Sequence, residues 1–426
     1  MEFKLKQLSV SLLAIGLLCG MNSQIMAADA EAEFKKAVSA RDDGDLADSI
    51  VIFQSILSEE PSLHRARLEL AVAYYRSTQF DEAEKHAQKV LDDPSTPATV
   101  RLSIIAFLAK IKSERKRFTA VKSTFRPSVS VGFLHDTNVN VGPSSSAIDI
   151  GTQTLRINAG SEPQSDSAFT ASVGLNHSYQ TGKIVKVGGR SAAVLWQSQA
   201  ALYTKQYEDL SEFNLDVVSL STGPAFIVPK HWRGKVSLRL DNIELGSDRL
   251  ALYTSLLPSS TWQLNNSTEL TVDASFVDRD YKQTSDEARD SFYKSIGVSM
   301  GKRYSNAKVS VQAGLNFFDE DADNDRFSRD GFKASVGASW KAWKEGAIYT
   351  KFSQRETKHD APEPGFGVKR DERSQEFVLG FRHKFGGKYL DKWVVNGKYS
   401  NTDNNSNVDL YTYDREVTSV TLSRSF

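Results

Sequence analysis

The sequence predicts an α + β multidomain chain: N-terminal α-helical repeats followed by an antiparallel transmembrane β-barrel of about fourteen strands. Three observations carry this expectation. From about Pro127 onward polar and apolar residues alternate, the stretch before it repeats with a helical period, and the start of the chain places a short apolar run behind two lysines.

The leader comes first. Lys4 and Lys6 precede the apolar run Leu8 to Leu18, and the small residues Ala27, Ala28 and Ala30 follow, the layout of a secretory signal peptide over residues 1–28. The run is shorter than the roughly 20 apolar residues a spanning helix needs, and no later segment approaches that length. Cys19, the only cysteine, falls inside this leader behind Leu18, where a lipid-attachment cysteine would follow a small residue. The mature chain is therefore expected to lack disulfides, thiol catalysis and cysteine-ligated metal.

Composition bounds the rest. Lys+Arg 53 against Asp+Glu 53 leaves no basic excess to recruit nucleic acid. A mean hydropathy of -0.40 argues against a helical membrane protein but suits a barrel, whose strands give half their residues to a polar lumen.

Residues 29–120 read as a helical domain with an internal repeat of about 34 residues. Leu70, Ala71, Tyr74, Tyr75, Phe80, Asp81, Glu82 and Ala83, closed by Pro94, reproduce the centre of a tetratricopeptide repeat. Ala37, Gly44, Asp45, Phe53 and Pro61 hold the equivalent places upstream, and a helix from about Pro97 to Arg117 caps the pair. Phe34, Val38, Arg41, Leu68, Val72, Tyr75 and Arg76 fall on first-helix positions that line a concave surface, the candidate site for a client segment, although they can equally pack against the cap. The basic run Lys110, Lys112, Arg115, Lys116 and Arg117 reads as a solvated helix end, with contact to lipid headgroups as the alternative.

Residues 121–426 read as the barrel. Val309, Val311, Ala313, Leu315 and Phe317 alternate with Lys308, Ser310, Gln312, Gly314 and Asn316, and comparable segments recur to Phe426. The segment 249–264 is interrupted by Pro258, which cannot donate to a ladder. Tight links at Asn265-Asn266-Ser267, Tyr304-Ser305 and Gly386-Gly387-Lys388 alternate with longer ones at 139–166, 319–330 and 358–372. Short turns normally face the periplasm, which puts both barrel ends and the helical domain on that side. Trp232, Trp262, Trp340, Trp343 and Trp393 sit beside the short turns as an aromatic girdle, and Trp196 lies inside a strand. The lumen mixes small polar residues with both signs of charge, including Lys308, Lys333, Asp273 and Arg239, a wall that wets a pore without strongly selecting one small ion.

Enzyme chemistry is not expected. Gly297-Val298-Ser299-Met300-Gly301 matches the serine-hydrolase string, which needs a strand-to-helix elbow, yet here it lies within an alternating strand. No spacing of His135, His177 or His383 selects a triad. Asp319-Glu320-Asp321-Ala322-Asp323-Asn324-Asp325 resembles a calcium-binding string, but Arg326 occupies the glycine place and Phe332 that of the bidentate glutamate, leaving a solvated loop. Catalytic residues, metal ligands and cofactors are accordingly none.

The order of these parts, with the barrel entrance Arg126-Pro127-Ser128-Val129-Ser130-Val131-Gly132 and Asp136-Thr137-Asn138-Val139-Asn140, resembles the Slam-type surface lipoprotein assembly modifiers, the outer-membrane translocators of type XI secretion. The helical domain is shorter than that family's. The resemblance implies a channel that moves a surface lipoprotein or secreted binding protein from periplasm to cell surface, in the outer membrane of a Gram-negative bacterium. A polysaccharide-export or diffusion porin is the alternative. Implied partners are the client, periplasmic chaperones, the barrel-assembly machinery and outer-membrane lipid, with the protein itself a monomer. Asp136, Asn138 and Asn140 mark the entrance motif, or else satisfy turn backbone at a strand end. Val420, Leu422 and Phe426 share one face of the last strand and resemble a barrel-assembly signal ending on Phe426, from which Arg424 departs.

Overall fold

The computed structural model describes residues 28–120, 123–150, 153–187, 190–229, 231–304, 307–387 and 389–426. Residues 1–27, on which the signal expectation and Cys19 fall, lie outside the described residues, as do Ser305 and Lys388 of the expected tight links. The chain divides into two compact units, one taking in residues up to 122 with 180–194, the other 123–179 with 195–426.

In the first unit five helices follow one another: α1 (Ala28–Asp43), α2 (Leu46–Glu59), α3 (His64–Arg76), α4 (Phe80–Leu91) and α5 (Ala98–Ala120). The repeat is visible in the backbone. Gly44 (φ 91) and Thr78 (φ 62), one repeat length or about 34 residues apart, both take left-handed geometry to reverse the chain between paired helices. A β-branched residue adopts that conformation at a cost, and Thr78 Oγ1 donates to the Ser77 carbonyl there at 2.7 Å. Ala37 and Ala71 are both fully buried, as are Phe53 and Ala87, so small residues stand where helices approach and larger ones fill the gaps. Leu70, Val90, Ile104 and Ile111 complete a single apolar core.

Across residues 123–426 fourteen strands form a closed antiparallel barrel. They are β1 (Ser123–Asp136), β4 (Asp166–Val187), β5 (Arg190–Tyr207), β6 (Leu215–Val228), β7 (Trp232–Leu245), β8 (Asp248–Gln263), β9 (Thr268–Tyr281), β10 (Ser291–Tyr304), β11 (Val309–Ala322), β12 (Arg329–Trp343), β13 (Gly346–Pro362), β14 (Lys369–Lys384), β15 (Val394–Ser406) and β16 (Tyr413–Ser425). A small hairpin, β2 (Ala147–Ile150) and β3 (Gln153–Arg156), sits in the loop after β1. Closure comes from β1, which pairs with β16 on one side and β4 on the other, leaving no edge unpaired.

Register aligns the apolar faces into a continuous outer band. Phe133 stands opposite Phe169 and Val420, Val298 opposite Leu315 and Val272, and Ile348 opposite Trp340 and Phe381. Many of these side chains are exposed, as a lipid-facing wall requires. Pro258 does not end β8. It pairs opposite Val236 of β7, while Leu257 and Pro258 drop out of the ladder to β9, which resumes in the same register at Ser259.

The turns correct several sequence expectations. The loop expected at 319–330 is half strand and that at 358–372 mostly strand: β11 runs to Ala322 and β13 to Pro362, leaving connections at 323–328 and 363–368. Charged side chains that read as loop are instead cross-strand pairs above the apolar band. On the same rim β7 and β8 join through Gly246 and Ser247 alone, both at positive φ (59 and 71), as the tightest hairpins require. The link read as Gly386-Gly387-Lys388 spans 385–393. The tryptophans stand beside the short links as expected: Trp232 opens β7, opposite Trp262 near the end of β8, and Trp340 and Trp343 precede the β12–β13 turn.

Candidate functional site

The entrance motif lies where β1 ends, on the rim opposite its chain entry. Asp136 and Asn138 are each 1% exposed, so they line no open mouth. Arg415 Nε of β16 donates to Asp136 Oδ1 at 3.0 Å, and the Tyr207 hydroxyl of β5 donates to Oδ2 at 3.1 Å. Asn138 closes a turn: its Nδ2 donates to the Gly142 and Asp414 carbonyls at 2.9 and 3.0 Å, and its Oδ1 accepts the Gly142 N–H at 2.7 Å. Gly142 is required because a Cβ there would come within 2.7 Å of the Ser161 to Pro163 backbone. Asn140 Nδ2 donates to the Glu162 carbonyl at 2.8 Å and its Oδ1 accepts the Gln164 N–H at 3.0 Å. Val139 is buried with Ala168 and Tyr207. The three Asx residues thus fasten the 137–165 loop to itself and to β16 and β5, and their side-chain capacity is spent on that lock. Arg415 and Tyr207, far along the chain, carry no local signal that would have paired them with Asp136.

The concave-surface expectation is corrected for three residues. Phe34, Leu68 and Val72 are 2%, 7% and 7% exposed and belong to the helical core, and Val38 packs on it. Tyr75 meets Phe80 and Phe107 edge-on at 6.0 and 5.5 Å, so it faces the cap. Tyr75 is thus covered by α5, whereas Phe34 of α1 packs edge-on against Phe53 of α2 at 5.6 Å, within the repeat itself. Arg41 pairs with Glu69 and Asp42, and Arg76 donates to Asp42 Oδ1 at 3.0 Å. Burial opposes ionisation of Asp42, but the two arginines outweigh it and hold the carboxyl below its ordinary range. Burial, with the nearby Arg67 charge, pushes His86 below its ordinary value where it stacks on Tyr74 at 5.4 Å. In the basic run, Arg115 pairs with Asp81 at 2.7 Å and Glu84 at 2.5 Å, and Lys110 sits over the Tyr75 ring at 5.6 Å. These cations bind the helical unit together rather than standing free.

Inside the barrel the polar faces form register rows. Ser259, Asp273, Gly297, Asn316, Lys333, Arg355 and Ser374 follow one another across β8 to β14. A Cβ on Gly297 would lie within about 3 Å of both the Asp273 carboxylate and the Asn316 amide, so those side chains converge over it on the inner face. Ser299 lies two residues on in the same strand, with no elbow to expose it as a nucleophile. The acidic run is corrected too: Asp319, Glu320 and Asp321 are in β11, and Glu320 is 6% exposed, held by Arg279, by Arg329 at 2.8 Å and by the Ser291 hydroxyl at 2.9 Å. It is a buried ion-pair centre. Among the described residues no group of three or more His, Cys, Asp or Glu is placed to hold a metal.

The end of the last strand is tied to β1. Phe426 N–H donates to the Pro127 carbonyl at 3.0 Å, and the Arg424 guanidinium lies 4.8 Å from the Phe426 ring centroid and 6.0 Å from that of Trp393. The departing arginine is thereby placed over aromatic faces at the rim.

Comparison with known proteins gives matches to both parts. Residues 40–98 match the Tetratricopeptide repeat family. A Surface lipoprotein assembly modifier of Pasteurella multocida (strain Pm70) is 25% identical over 147 residues, which is 34% of this chain and only 26% of that protein's length. Among solved structures the fold is similar to the Anion-selective porin from Comamonas acidovorans (9% identity, 71% of this chain and 99% of that one, TM-score 0.40). It is similar also to a loop-deletion mutant of OmpT, an outer membrane protein of Vibrio cholerae (8% identity, 72% and 100%, TM-score 0.41). With tetratricopeptide helices followed by a closed fourteen-strand barrel, the chain is similar to a surface lipoprotein assembly modifier.

Proposed function

We propose that this chain is an outer-membrane translocator that moves a client protein, a surface lipoprotein or secreted binding protein, from periplasm to cell surface. The observation that carries the reading is the pairing of a periplasmic-type repeat unit with a closed barrel whose inner rows are serine, glycine, asparagine and charge. A simple diffusion pore has little use for repeat helices, and the name of the Pasteurella relative points to lipoprotein assembly. The helical unit stays on the periplasmic side, where the chain enters β1 at the rim of the tryptophan-flanked turns.

Fourteen strands make a barrel narrower than the 16- to 18-stranded porins that leave an aqueous channel, so the client crosses at least partly unfolded. Passage needs neither a cofactor nor a covalent step. Direction comes from client folding outside or capture by the outer loops. The experiment is reconstitution of the purified protein in liposomes with a candidate client delivered by its periplasmic chaperone. Barrel-dependent protection of the client from external protease is expected. Free passage of sugars or polysaccharide with no client protected would replace this reading with the export-porin alternative.

A further inference from the structure

The inner wall is not evenly charged. Lys333 on β12 stands directly opposite Arg355 on β13, and Lys351 on the same strand stands opposite Gly337, four residues along β12 from Lys333. Like charges opposite each other on one sheet face are destabilising unless something neutralises them. Neither Lys333, Lys351 nor Arg355 has an ion-pair partner among the described residues. The Arg355 guanidinium carbon lies 4.2 Å from the centroid of the Phe318 ring, and its buried Nε has no hydrogen-bond partner.

The nearby carboxylates are already engaged. Glu320 is held by Arg279, Arg329 and Ser291, and Glu376, whose charge reaches Lys333, accepts from the Ser353 hydroxyl at 3.2 Å. Asp273 sits three strands before Lys333 in the same register row, across Gly297 from the Asn316 amide. The neighbours between the cations are Ser335, Gly337 and Ser353, short side chains that leave room above the sheet, with the Ser353 hydroxyl already donated to Glu376. Arg355 is pre-oriented by its ring contact, so little side-chain freedom is lost when it meets a planar anion.

We infer that Lys333, Lys351 and Arg355 form an anion-binding station on the inner wall, taking carboxylate or phosphate groups that enter the lumen. The three cations supply charge, the guanidinium supplies paired donors, and the Ser335 hydroxyl adds one more. The acidic side chains of a polypeptide in transit and free phosphates share this chemistry. The station thus departs from the expectation of a wall that strongly selects no small ion.

The test is isothermal titration of the full chain in detergent micelles, at matched ionic strength, with tripolyphosphate and separately with a ten-residue glutamate peptide. Wild type is expected to bind, and Lys333→Gln to weaken binding roughly tenfold, equivalent to about 1.4 kcal/mol. Lys235→Gln, in the same register row on the far β7 side, should leave affinity unchanged. Lys333→Gln keeps Arg355 on Phe318, and the heat-dependent gel shift of a folded barrel confirms that the variant is assembled. Binding of the peptide as well as tripolyphosphate assigns the station to acidic polypeptide, and binding of tripolyphosphate alone assigns it to free phosphates. No binding by wild type beyond that of chloride, or equal binding by Lys333→Gln, overturns the station. Client protection in liposomes is read separately, so either inference can fail while the other stands.

Discussion

Phe53 and Leu238 are both apolar residues near the middle of their elements, yet Phe53 is 0% exposed among helices while Leu238 is 58% exposed on the outside of the barrel. The helical unit hides its apolar side chains inside and presents charge outward, the arrangement water imposes. The barrel is inverted, with its polar rows inside and its apolar band facing lipid, because hydrocarbon satisfies the outer face and the ladder satisfies every strand's backbone. The first unit is held by packing. The second is held by a closed hydrogen-bond ladder, with ion-pair and Asx locks at its rim.

The largest test of that contrast is Phe53→Ala. A fully buried phenylalanine among Phe34, Leu70 and Ala71 is expected to cost about 3–5 kcal/mol on truncation, enough to unfold a two-repeat stack. Amide hydrogen exchange across α1 to α5 should rise sharply while the heat-dependent gel shift of the barrel persists. Loss of the barrel signal would break the separation into two stabilising schemes.

A somewhat smaller effect sharpens the inversion within one strand. Leu238→Arg places a charge on the lipid face near mid-strand and is expected to cost about 2–4 kcal/mol of barrel stability. Its neighbour Ser237 points to the lumen, and Ser237→Arg should leave stability in vesicles nearly unchanged by urea titration. Equal costs at both positions would show that the two faces are not divided as lipid and water.

The smallest effect concerns pH. His86 has its pKa lowered in the folded helical unit by burial, and its Nδ1 is buried without a partner. A depressed histidine pKa means the unfolded chain binds the proton first, so no stability is lost above the ordinary value of about 6.5 and stability declines as pH falls below it. His86→Phe keeps a ring against Tyr74 and should flatten the decline between about pH 6.5 and 5, before carboxylates begin to titrate. Helical circular dichroism during urea titration at each pH reads this. An unchanged pH slope would remove His86 from the unit's acid sensitivity.

Much of this architecture was legible because its signals are local and periodic. Alternation between Val309 and Phe317 marks a strand wherever it is placed, and Ala37, Ala71 and Ala83 mark close helix approaches within one repeat template. The fourteen strands and the tryptophan rim follow from the same periodicity. Strand ends were misread at 319–330 and 358–372, where charge and Asx-rich composition look like loop. Cross-strand ion pairs such as Lys294 with Asp319 at 3.0 Å let those residues continue the ladder beyond the apolar band.

What only the tertiary structure decided is which side chains meet across large separations. Asp136, Asn138 and Asn140 read equally as a working entrance or as turn chemistry until Arg415, Tyr207 and Gly142 arrived around them. Phe34, Leu68 and Val72 read as a groove until packing within the helical core buried them, since the template fixes helix faces but not which neighbours cover them. The opposition of Lys333 and Arg355 depends on the register between β12 and β13, which a shift of one residue would abolish by turning one side chain toward lipid. Periodicity along the chain specifies elements and their faces; pairings between distant segments depend on packing and register, which no local pattern contains.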